Sequence, residues 1–201
     1  MDVKTYDIAV VGGGMVGLCL ALGLAGAGAR VALIERASLA AMAAAEFDGR
    51  GSAIAAGSQR ILAGLGLWDS LAADAEPILE IRVADGGSPL FLHYDHRDMG
   101  DGETDNGPLG WIVENAELGG TEFGPDDAVL SLGDGRRISA RLVVAADGRD
   151  SALRAAAGID AVRWTYPQTG IVCSVRHEAP HHGIAQEHFL PAGPFAILPM
   201  T

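Results

Sequence analysis

The segment from Tyr6 to Arg36, YDIAVVGGGMVGLCLALGLAGAGARVALIER, constrains the fold more than any other part of the chain. A short apolar run, Ile8 to Val11, opens it, and a second apolar run, Val31 to Ile34, ends in Glu35. Between the runs lies a helical apolar pattern. Three glycines precede this pattern in the order G-x-G-x-x-G: Gly12, Gly14 and Gly17. This arrangement predicts a strand–helix–strand unit with the fingerprint of a dinucleotide-binding loop.

Each fingerprint residue has a physical task in such a loop. Gly12 permits the tight turn out of the strand, and Gly14, without a Cβ, lets the backbone approach a pyrophosphate. Gly17 allows the helix to pack closely on the sheet. The helix N-terminus then offers N–H groups and a positive dipole end to the phosphates. Glu35 stands where a carboxylate accepts hydrogen bonds from both ribose hydroxyls of an adenosine.

Two other interpretations of this segment are weaker. Ile8 to Ala29 carries no charge and is long enough to span a bilayer. Several glycines would then lie inside one helix, at about 1 kcal/mol each relative to alanine. The other interpretation is a glycine-rich helix start with an unrelated Glu35, but the strand before it and the acid at the end of the next strand both argue against it.

Charge and cysteine content exclude several classes of function. The chain has 201 residues and a net charge of -12, with no run of lysine and arginine, so a nucleic-acid partner is not expected. Only two cysteines occur, Cys19 and Cys173, so no disulfide framework is expected and a cytoplasmic location is the default. The N-terminus enters the first strand directly and does not resemble a signal peptide.

The rest of the chain predicts mostly strands. Ser58 is placed to cap a helix, after a loop of small residues that contains Arg50. Ala37 to Phe47 predicts a helix or an ordered loop, and Asp98 to Pro108 a mobile loop. The predicted strands are Glu80 to Asp85 and Leu90 to Tyr94 around Gly86-Gly87, Gly110 to Val113, Thr121 to Gly124, two strands around Gly133-Asp134-Gly135, Arg163 to His177, and Ala185 to Met200.

A second candidate ligand-facing turn follows the apolar run LVVAAD. Asp147 and Gly148 stand where a strand ends, which in a parallel sheet is the edge that binds ligands. Gly148 lets the chain pass close to a phosphate or ribose, and Asp147 can accept a hydroxyl hydrogen bond. Asp-Gly is also common in ordinary turns, and alone the pair does not decide between these interpretations. Beside the first fingerprint, the pair favours a cofactor.

Several blocks, in order, resemble the flavin-dependent aromatic hydroxylases: VVGGGMVGLCLALGLAGAGARVALIER, DGRGSAIAAGSQRILAGLGLW, LVVAADGRDSALRAAAGI and GPFAILPM. Within that group the chain is most similar to the ubiquinone-biosynthesis hydroxylases, which act on polyprenylated phenols. The resemblance implies the α/β fold of p-hydroxybenzoate hydroxylase. It implies a Rossmann-like FAD-binding domain with a β-meander, residues 1–78 and 115–160, interleaved with part of a β-sheet substrate domain, residues 79–114 and 161–201.

The resemblance also implies a cofactor, a reaction and a set of binding residues. FAD is the expected cofactor, NAD(P)H the co-substrate, and the reaction the hydroxylation of an aromatic ring with O₂. No catalytic acid or base is expected, because the cofactor carries the chemistry. Arg36 would lie beside the adenine and Arg50 along the flavin. The full cofactor-binding set is Gly12, Gly14, Gly17, Glu35, Arg36, Arg50, Asp147 and Gly148.

The chain departs from the family pattern at two places. After VENAEL it goes at once to Gly119-Gly120-Thr121, which is too short for the family's next helix and parallel strand. The family's later Gly-Asp block, which holds FAD phosphate and ribityl groups, is absent. The sequence is therefore expected to be truncated and internally deleted. Two other functions stay open: a non-catalytic flavoprotein fragment that acts as a binding module, and an NAD-dependent dehydrogenase.

The sequence also gives expectations for a metal site, for membrane contact and for self-association. His181, His182 and His188 lack the spacing of a zinc site, so no metal is expected. The apolar face of the substrate sheet would receive a prenyl tail, and through such a substrate the chain would touch the inner membrane surface peripherally. A homo-oligomer stays open.

Overall fold

The computed structural model describes residues 4–35, 51–98, 109–114, 129–132 and 137–201. In chain order the strands and α-helices are β1 (Lys4–Val11), α1 (Met15–Gly26), β2 (Val31–Ile34), β3 (Gly51–Ala55), α2 (Ala56–Gly64), α3 (Trp68–Leu71), β4 (Glu76–Ile78), β5 (Glu80–Asp85), β6 (Phe91–Asp95), β7 (Gly110–Glu114), β8 (Val129–Ser131), β9 (Arg137–Ala145), α4 (Ala152–Ala156), β10 (Ile184–Leu190) and β11 (Gly193–Ile197). Short 3₁₀ turns cover Ala72–Asp74 and His96–Asp98.

The chain divides into two compact units, each made of two separate stretches. The first is Met1–Glu46 with Ala116–Gly170, and the second is Phe47–Asn115 with Ile171–Thr201. The sequence placed residues up to 78 in the first domain. Residues 51–78 lie in the second unit, where β3 and β4 both pair with β7. Which ranges form an FAD domain and a substrate domain stays a prediction.

The first unit contains a four-stranded sheet in the order β2-β1-β9-β8. β1 runs parallel to both of its neighbours, and β8 pairs antiparallel with β9. Ala9, Val10 and Val11 of the central strand have no exposed surface. Ala9 and Val11 pack in one core cluster with side chains that include Ile34 and Ile138. The predicted strand–helix–strand unit and the α/β class are therefore confirmed. The uncharged segment from Ile8 to Ala29 contains a helix of only 12 residues, α1. Among the described residues, no helix could cross a membrane.

The second unit contains two further sheets. One has the order β11-β10-β5-β6, in which β10 is parallel to β5 and the other pairs are antiparallel. The other has the order β3-β7-β4 and is wholly antiparallel. The hairpin predicted around Gly86-Gly87 is confirmed as β5 and β6. The run predicted from Ala185 to Met200 is a second hairpin, β10 and β11.

The predicted cap of α2 is wrong. Gly51–Ala55 forms β3 rather than a loop, and the helix begins directly where that strand ends, with Ala55 at the N-cap position. Ser58 lies inside the first turn, and no side chain caps the helix. The pairing of β3 with β7 sets where the helix starts, and a local capping pattern cannot reveal such a long-range pairing.

The strand predicted from Arg163 to His177 is also wrong. Residues 163–177 form no helix or strand, and none of the described strands pairs with them. Their apolar side chains are largely exposed, including Trp164, Ile171 and Val175. A strand needs a neighbouring strand for its backbone hydrogen bonds, and an alternating pattern alone does not provide one.

Several expectations lie outside the described residues. They are the positions of Arg36 and Arg50, the helix or loop from Ala37 to Phe47, most of the loop from Asp98 to Pro108, the strand from Thr121 to Gly124, and the Gly133-Asp134-Gly135 turn. The strands on either side of that last turn, β8 and β9, do pair antiparallel as predicted.

Candidate cofactor-binding site

The two predicted ligand-facing turns lie side by side at one edge of the first unit's sheet. Gly12 N–H donates to the Ile34 carbonyl at the end of β2 (2.9 Å), and Ala146 N–H donates to the Val11 carbonyl at the end of β1 (2.7 Å). The carboxyl ends of three parallel strands therefore meet here. α1 leads from β1 to β2 on one side, while β9 lies on the other side of β1. Such a reversal of strand order is where open α/β sheets bind ligands.

Gly12 and Gly17 make close contacts that only glycine allows. Gly12 has φ +105°, and a Cβ there would lie 2.2 Å from the carbonyl oxygen of Ala146. A Cβ on Gly17 would lie 1.9 Å from the carbonyl oxygen of Gly12. The fingerprint loop is thus packed against α1 on one side and against the turn after β9 on the other. Gly17 has the predicted role of close helix packing.

The N-terminus of α1 is open to an anion. Gly14 is the N-cap residue, with extended backbone, and no side chain caps the helix. The first turn contains no acidic residue, and Met15 and Val16 are exposed. The first N–H groups of a helix have no partner within it, and the helix dipole adds positive charge at this end. These features suit a pyrophosphate.

Glu35 leaves the end of β2 and turns toward the glycine loop. Its Oε2 accepts a hydrogen bond from the Gly13 N–H at 2.6 Å. The loop amide therefore orients the carboxylate beside the fingerprint. The position is compatible with a ribose diol next to a pyrophosphate on α1.

The Asp147 carboxylate is bonded within its own turn. Oδ1 accepts from the Ser151 hydroxyl at 2.6 Å, and Oδ2 accepts from the Leu153 N–H at 3.2 Å. Burial raises the pKa of Asp147, but the hydrogen bonds from Ser151 and from the Leu153 amide outweigh it, so the pKa lies below its ordinary value. Asp147 thus stays ionised at neutral pH.

Gly148 adopts a backbone conformation that favours glycine, with φ +85°, and a Cβ there would meet nothing within 4 Å. It borders a groove of about 510 Å³, lined among others by Val143, Ala145, Ser151 and Leu153. Open space therefore lies directly beside the turn. The hydrogen-bonding groups of the fingerprint loop, Glu35 and this turn together suit a dinucleotide that has an adenosine at one end.

Comparison with known proteins decides which dinucleotide. Residues 5–105 match the family model described as the FAD binding domain. The chain belongs to the FAD binding domain family. FAD is therefore the cofactor of this fold, and the expected resemblance to FAD-dependent monooxygenases is confirmed.

Several relatives are named as hydroxylases of ubiquinone or of a ubiquinol. The chain is 46% identical to ubiquinone hydroxylase UbiL of Rhodospirillum rubrum, over 98% of this chain and 50% of the relative. It is 35% identical to 3-demethoxyubiquinol 3-hydroxylase of Escherichia coli K12, over 100% of this chain and 56% of the relative. The chain thus spans about half the length of these relatives. The UbiL alignment covers 219 positions and the chain has 201 residues, so at least 18 of those positions have no counterpart here.

Solved structures agree on the fold. PqsL, a probable FAD-dependent monooxygenase from Pseudomonas aeruginosa, matches with a TM-score of 0.61 and 20% identity, over 82% of this chain and 48% of PqsL. The tetrameric form of 2-methyl-3-hydroxypyridine-5-carboxylic acid oxygenase matches with a TM-score of 0.66 and 18% identity, over 100% of this chain and 57% of that protein. The chain therefore shares its fold with parts of these two oxygenases.

The predicted binding residues divide into three groups. Gly12, Gly14, Gly17 and Glu35 lie together around the N-terminus of α1. Asp147 and Gly148 lie next to Gly12, through the contact of Gly12 with Ala146. Arg36 and Arg50 lie outside the described residues. The role of each residue in holding FAD stays a prediction.

One polar group of the second unit was not anticipated from the sequence. Ligand atoms of Glu80, His93 and Asp95 lie within 4.8 Å of one another on one face of the β5–β6 hairpin. Arg82 donates to Glu80, and Arg97 donates to Asp95. These guanidinium groups balance both carboxylates, and the hydrogen bond from Arg97 holds the pKa of Asp95 well below its ordinary value. A divalent cation at this cluster would have to displace both guanidinium groups from the carboxylates.

The sequence does contain a signal for this group. His93 and Asp95 are two residues apart on one strand, and therefore face the same side. The hairpin register sets Asp95 opposite Glu80. That register leaves six residues, Asp85 to Leu90, between the last paired residues Ala84 and Phe91, so the Gly86-Gly87 pair alone does not assign it.

Proposed function

We propose that this chain is the FAD-binding part of a monooxygenase that hydroxylates an aromatic ring of a polyprenylated phenol, using NAD(P)H and O₂. The observation that carries the proposal is the joint position of the uncapped α1 N-terminus, Glu35 and the Gly148 turn at one sheet edge. The family match and the names of the relatives, which act in ubiquinone hydroxylation, support the reaction class.

The chain's own residues would bind and orient the cofactor. The amides at the start of α1 would hold the pyrophosphate, and Glu35 would accept hydrogen bonds from the adenosine ribose. The Gly148 turn, which has room beside it, would let the rest of the cofactor pass closely. FAD, when bound, would supply the redox chemistry of a hydroxylation that uses NAD(P)H and O₂.

A visible absorption spectrum of the protein after incubation with FAD and gel filtration tests this proposal. We expect flavin bands that co-elute with the protein. We then expect NADH or NADPH oxidation in air that a short-chain prenylphenol stimulates. Colourless protein that takes up no FAD would overturn the proposal. NADH oxidation without any flavin would instead support a dehydrogenase.

A second candidate is a non-catalytic flavoprotein module. It is favoured by one observation, that at least 18 positions of the UbiL alignment have no counterpart in this chain. The same experiment separates the two functions. A module would bind FAD but would not oxidise NAD(P)H, with or without a phenol.

We further propose that the chain acts in the cytoplasm at a membrane surface, where prenylated substrates reside. Support comes from one end of the second unit's larger sheet, where exposed apolar side chains of two hairpins come together. Gly86 N–H donates to the Phe189 carbonyl at 2.9 Å and so joins the two hairpin ends. We call this set the apolar tip: Leu90, Phe91, Leu92, Phe189 and Leu190, which are 47–78% exposed. Exposed apolar clusters of this kind mark binding to lipid or to protein.

The double substitution Phe91→Ser and Leu190→Ser tests the apolar tip. We expect the original protein to float with phosphatidylcholine vesicles in a density gradient, and the variant to float several-fold less, because each lost apolar side chain removes buried area in the lipid. Val172→Ser is the matched control, since Val172 is 68% exposed and lies away from the tip in the chain. Equal flotation of all three proteins, or none, would contradict membrane docking through this tip.

A further inference from the structure

Ser151 is a buried polar residue at the start of α4, with 7% of its surface exposed. Its hydroxyl donates to Asp147 Oδ1 at 2.6 Å and accepts from the Arg154 N–H at 2.9 Å. Ser151 is thus the N-cap residue of α4 and also a hydrogen-bond partner of Asp147, which directly precedes Gly148. A buried hydroxyl with both roles links the end of β9 to the beginning of α4.

The Asp147 carboxylate is held from two sides by this link. Besides Ser151, the Leu153 N–H donates to the other oxygen, Oδ2, at 3.2 Å. Both oxygens therefore have partners inside the turn. A carboxylate has about four acceptor sites, and the backbone N–H groups of Ala152 and of Asp147 itself also donate to this one. A ligand hydroxyl would therefore have to compete with hydrogen bonds to a partly buried charged group, which are among the stronger ones.

The turn between Asp147 and Ser151 is fixed at both ends. Ser151 N–H donates to the Gly148 carbonyl at 3.2 Å, which closes the turn. On the other side, Ala146 lies against Gly12, so close that a Cβ on Gly12 would overlap its carbonyl. Gly148, between these two supports, is the residue with open space beside it.

We infer that Ser151 is a positioning residue of the cofactor site: its hydroxyl keeps Asp147 as an internal acceptor, so that the Gly148 backbone and not the Asp147 side chain meets the cofactor. This inference rests on the proposed function of FAD binding. It differs from the sequence expectation, in which the Asp147 carboxylate itself accepts a hydroxyl of the ligand.

Ser151→Ala and Ser151→Thr test the inference through the dissociation constant for FAD, measured by quenching of flavin fluorescence. We expect Ser151→Ala to weaken FAD binding by about 10- to 100-fold, the range set by the loss of one hydrogen bond to a charged group. Ser151→Thr keeps the hydroxyl and should restore most of the affinity. Ser70→Ala is the control, because Ser70 also donates its hydroxyl within a helix turn, to the Leu67 carbonyl, in the second unit.

The pH profile separates positioning from simple loss of packing. The hydrogen bond from Ser151 lowers the pKa of Asp147, whereas burial raises it. Without the hydroxyl, the folded-state pKa of Asp147 should rise. Since a lowered carboxyl pKa stabilises the turn only at pH values above it, FAD affinity should begin to fall at a higher pH in Ser151→Ala than in the original protein. NMR titration of the ¹³C-labelled Asp147 carboxyl reports this pKa directly, with or without FAD.

The possible results of these measurements distinguish the Ser151–Asp147 link from the FAD-binding function. An unchanged Asp147 pKa in Ser151→Ala, or unchanged FAD affinity together with the original pH profile, would overturn the inference. If the Asp147 pKa rises but neither protein binds FAD, the proposed function fails, and with it the cofactor role of Ser151, while the Ser151–Asp147 link stands. Weaker FAD binding, a raised pKa and rescue by Ser151→Thr would support both.

Discussion

Gly17→Ala should strongly destabilise the protein and abolish tight FAD binding. The new Cβ would lie 1.9 Å from the carbonyl oxygen of Gly12 and 3.3 Å from the Cβ of Ala146. Backbone cannot yield as a flexible side chain can, so α1 must shift away from the loop. Overpacking of this kind costs about 1–3 kcal/mol. In a chain of this size that lowers Tm by about 2–12 °C, measured by circular dichroism.

Gly26→Ala is the matched control for Gly17→Ala. Gly26 is the last residue of the same helix, and a Cβ there would meet nothing within 4 Å. Alanine has a higher helix propensity than glycine, by about 1 kcal/mol, so this variant should be as stable as the original or more so. Equal stability and equal FAD affinity of the two variants would show that α1 is not packed on the fingerprint loop as described.

Glu35→Gln should weaken FAD binding by about 10-fold or more without unfolding the chain. Glutamine keeps the shape of the side chain and an oxygen for the Gly13 N–H, but it removes the charge. Hydrogen bonds to charged groups contribute about 1.5–3 kcal/mol. The prediction is checked by titrating the apoprotein with FAD, and separately with FMN, which lacks the adenosine.

The FMN titration tells whether Glu35 acts on the ribose. FMN affinity should be the same in Glu35→Gln as in the original protein, because only the adenosine of FAD would reach Glu35. Glu187→Gln, on β10 in the second unit, is the control for loss of one carboxylate. An equal loss of FMN and FAD affinity would place the effect of Glu35 in the loop itself, through Gly13, and not at the ribose.

The fingerprint segment could be predicted from sequence because its determinants are local. The alternation of an apolar run, three spaced glycines and a second run fixes β1, α1 and β2 within 30 residues, and the structure follows it. The β5–β6 hairpin is similar, because its turn and both strands are contiguous. The crevice at the sheet edge followed from the general rule that the carboxyl ends of parallel strands meet there.

Features that depend on distant partners were predicted poorly. Residues 163–177 have the composition of a strand but no described neighbour to pair with. The start of α2 depends on the pairing of β3 with β7, which are more than 50 residues apart. The position of Ser151 before α4 could suggest that it contacts Asp147. That the Asp147 carboxylate accepts hydrogen bonds from within its own turn depends on three-dimensional geometry.

The central claim is that the loop from Gly12 to Gly17 binds the FAD pyrophosphate. Backbone amide chemical shifts of ¹⁵N-labelled protein, recorded during titration with FAD, test it most directly. We predict the largest shifts at Gly13 to Gly17, with smaller ones at Gly148, and the same pattern at the loop with ADP. Saturable FAD binding that leaves the amides of this loop unmoved would contradict the account.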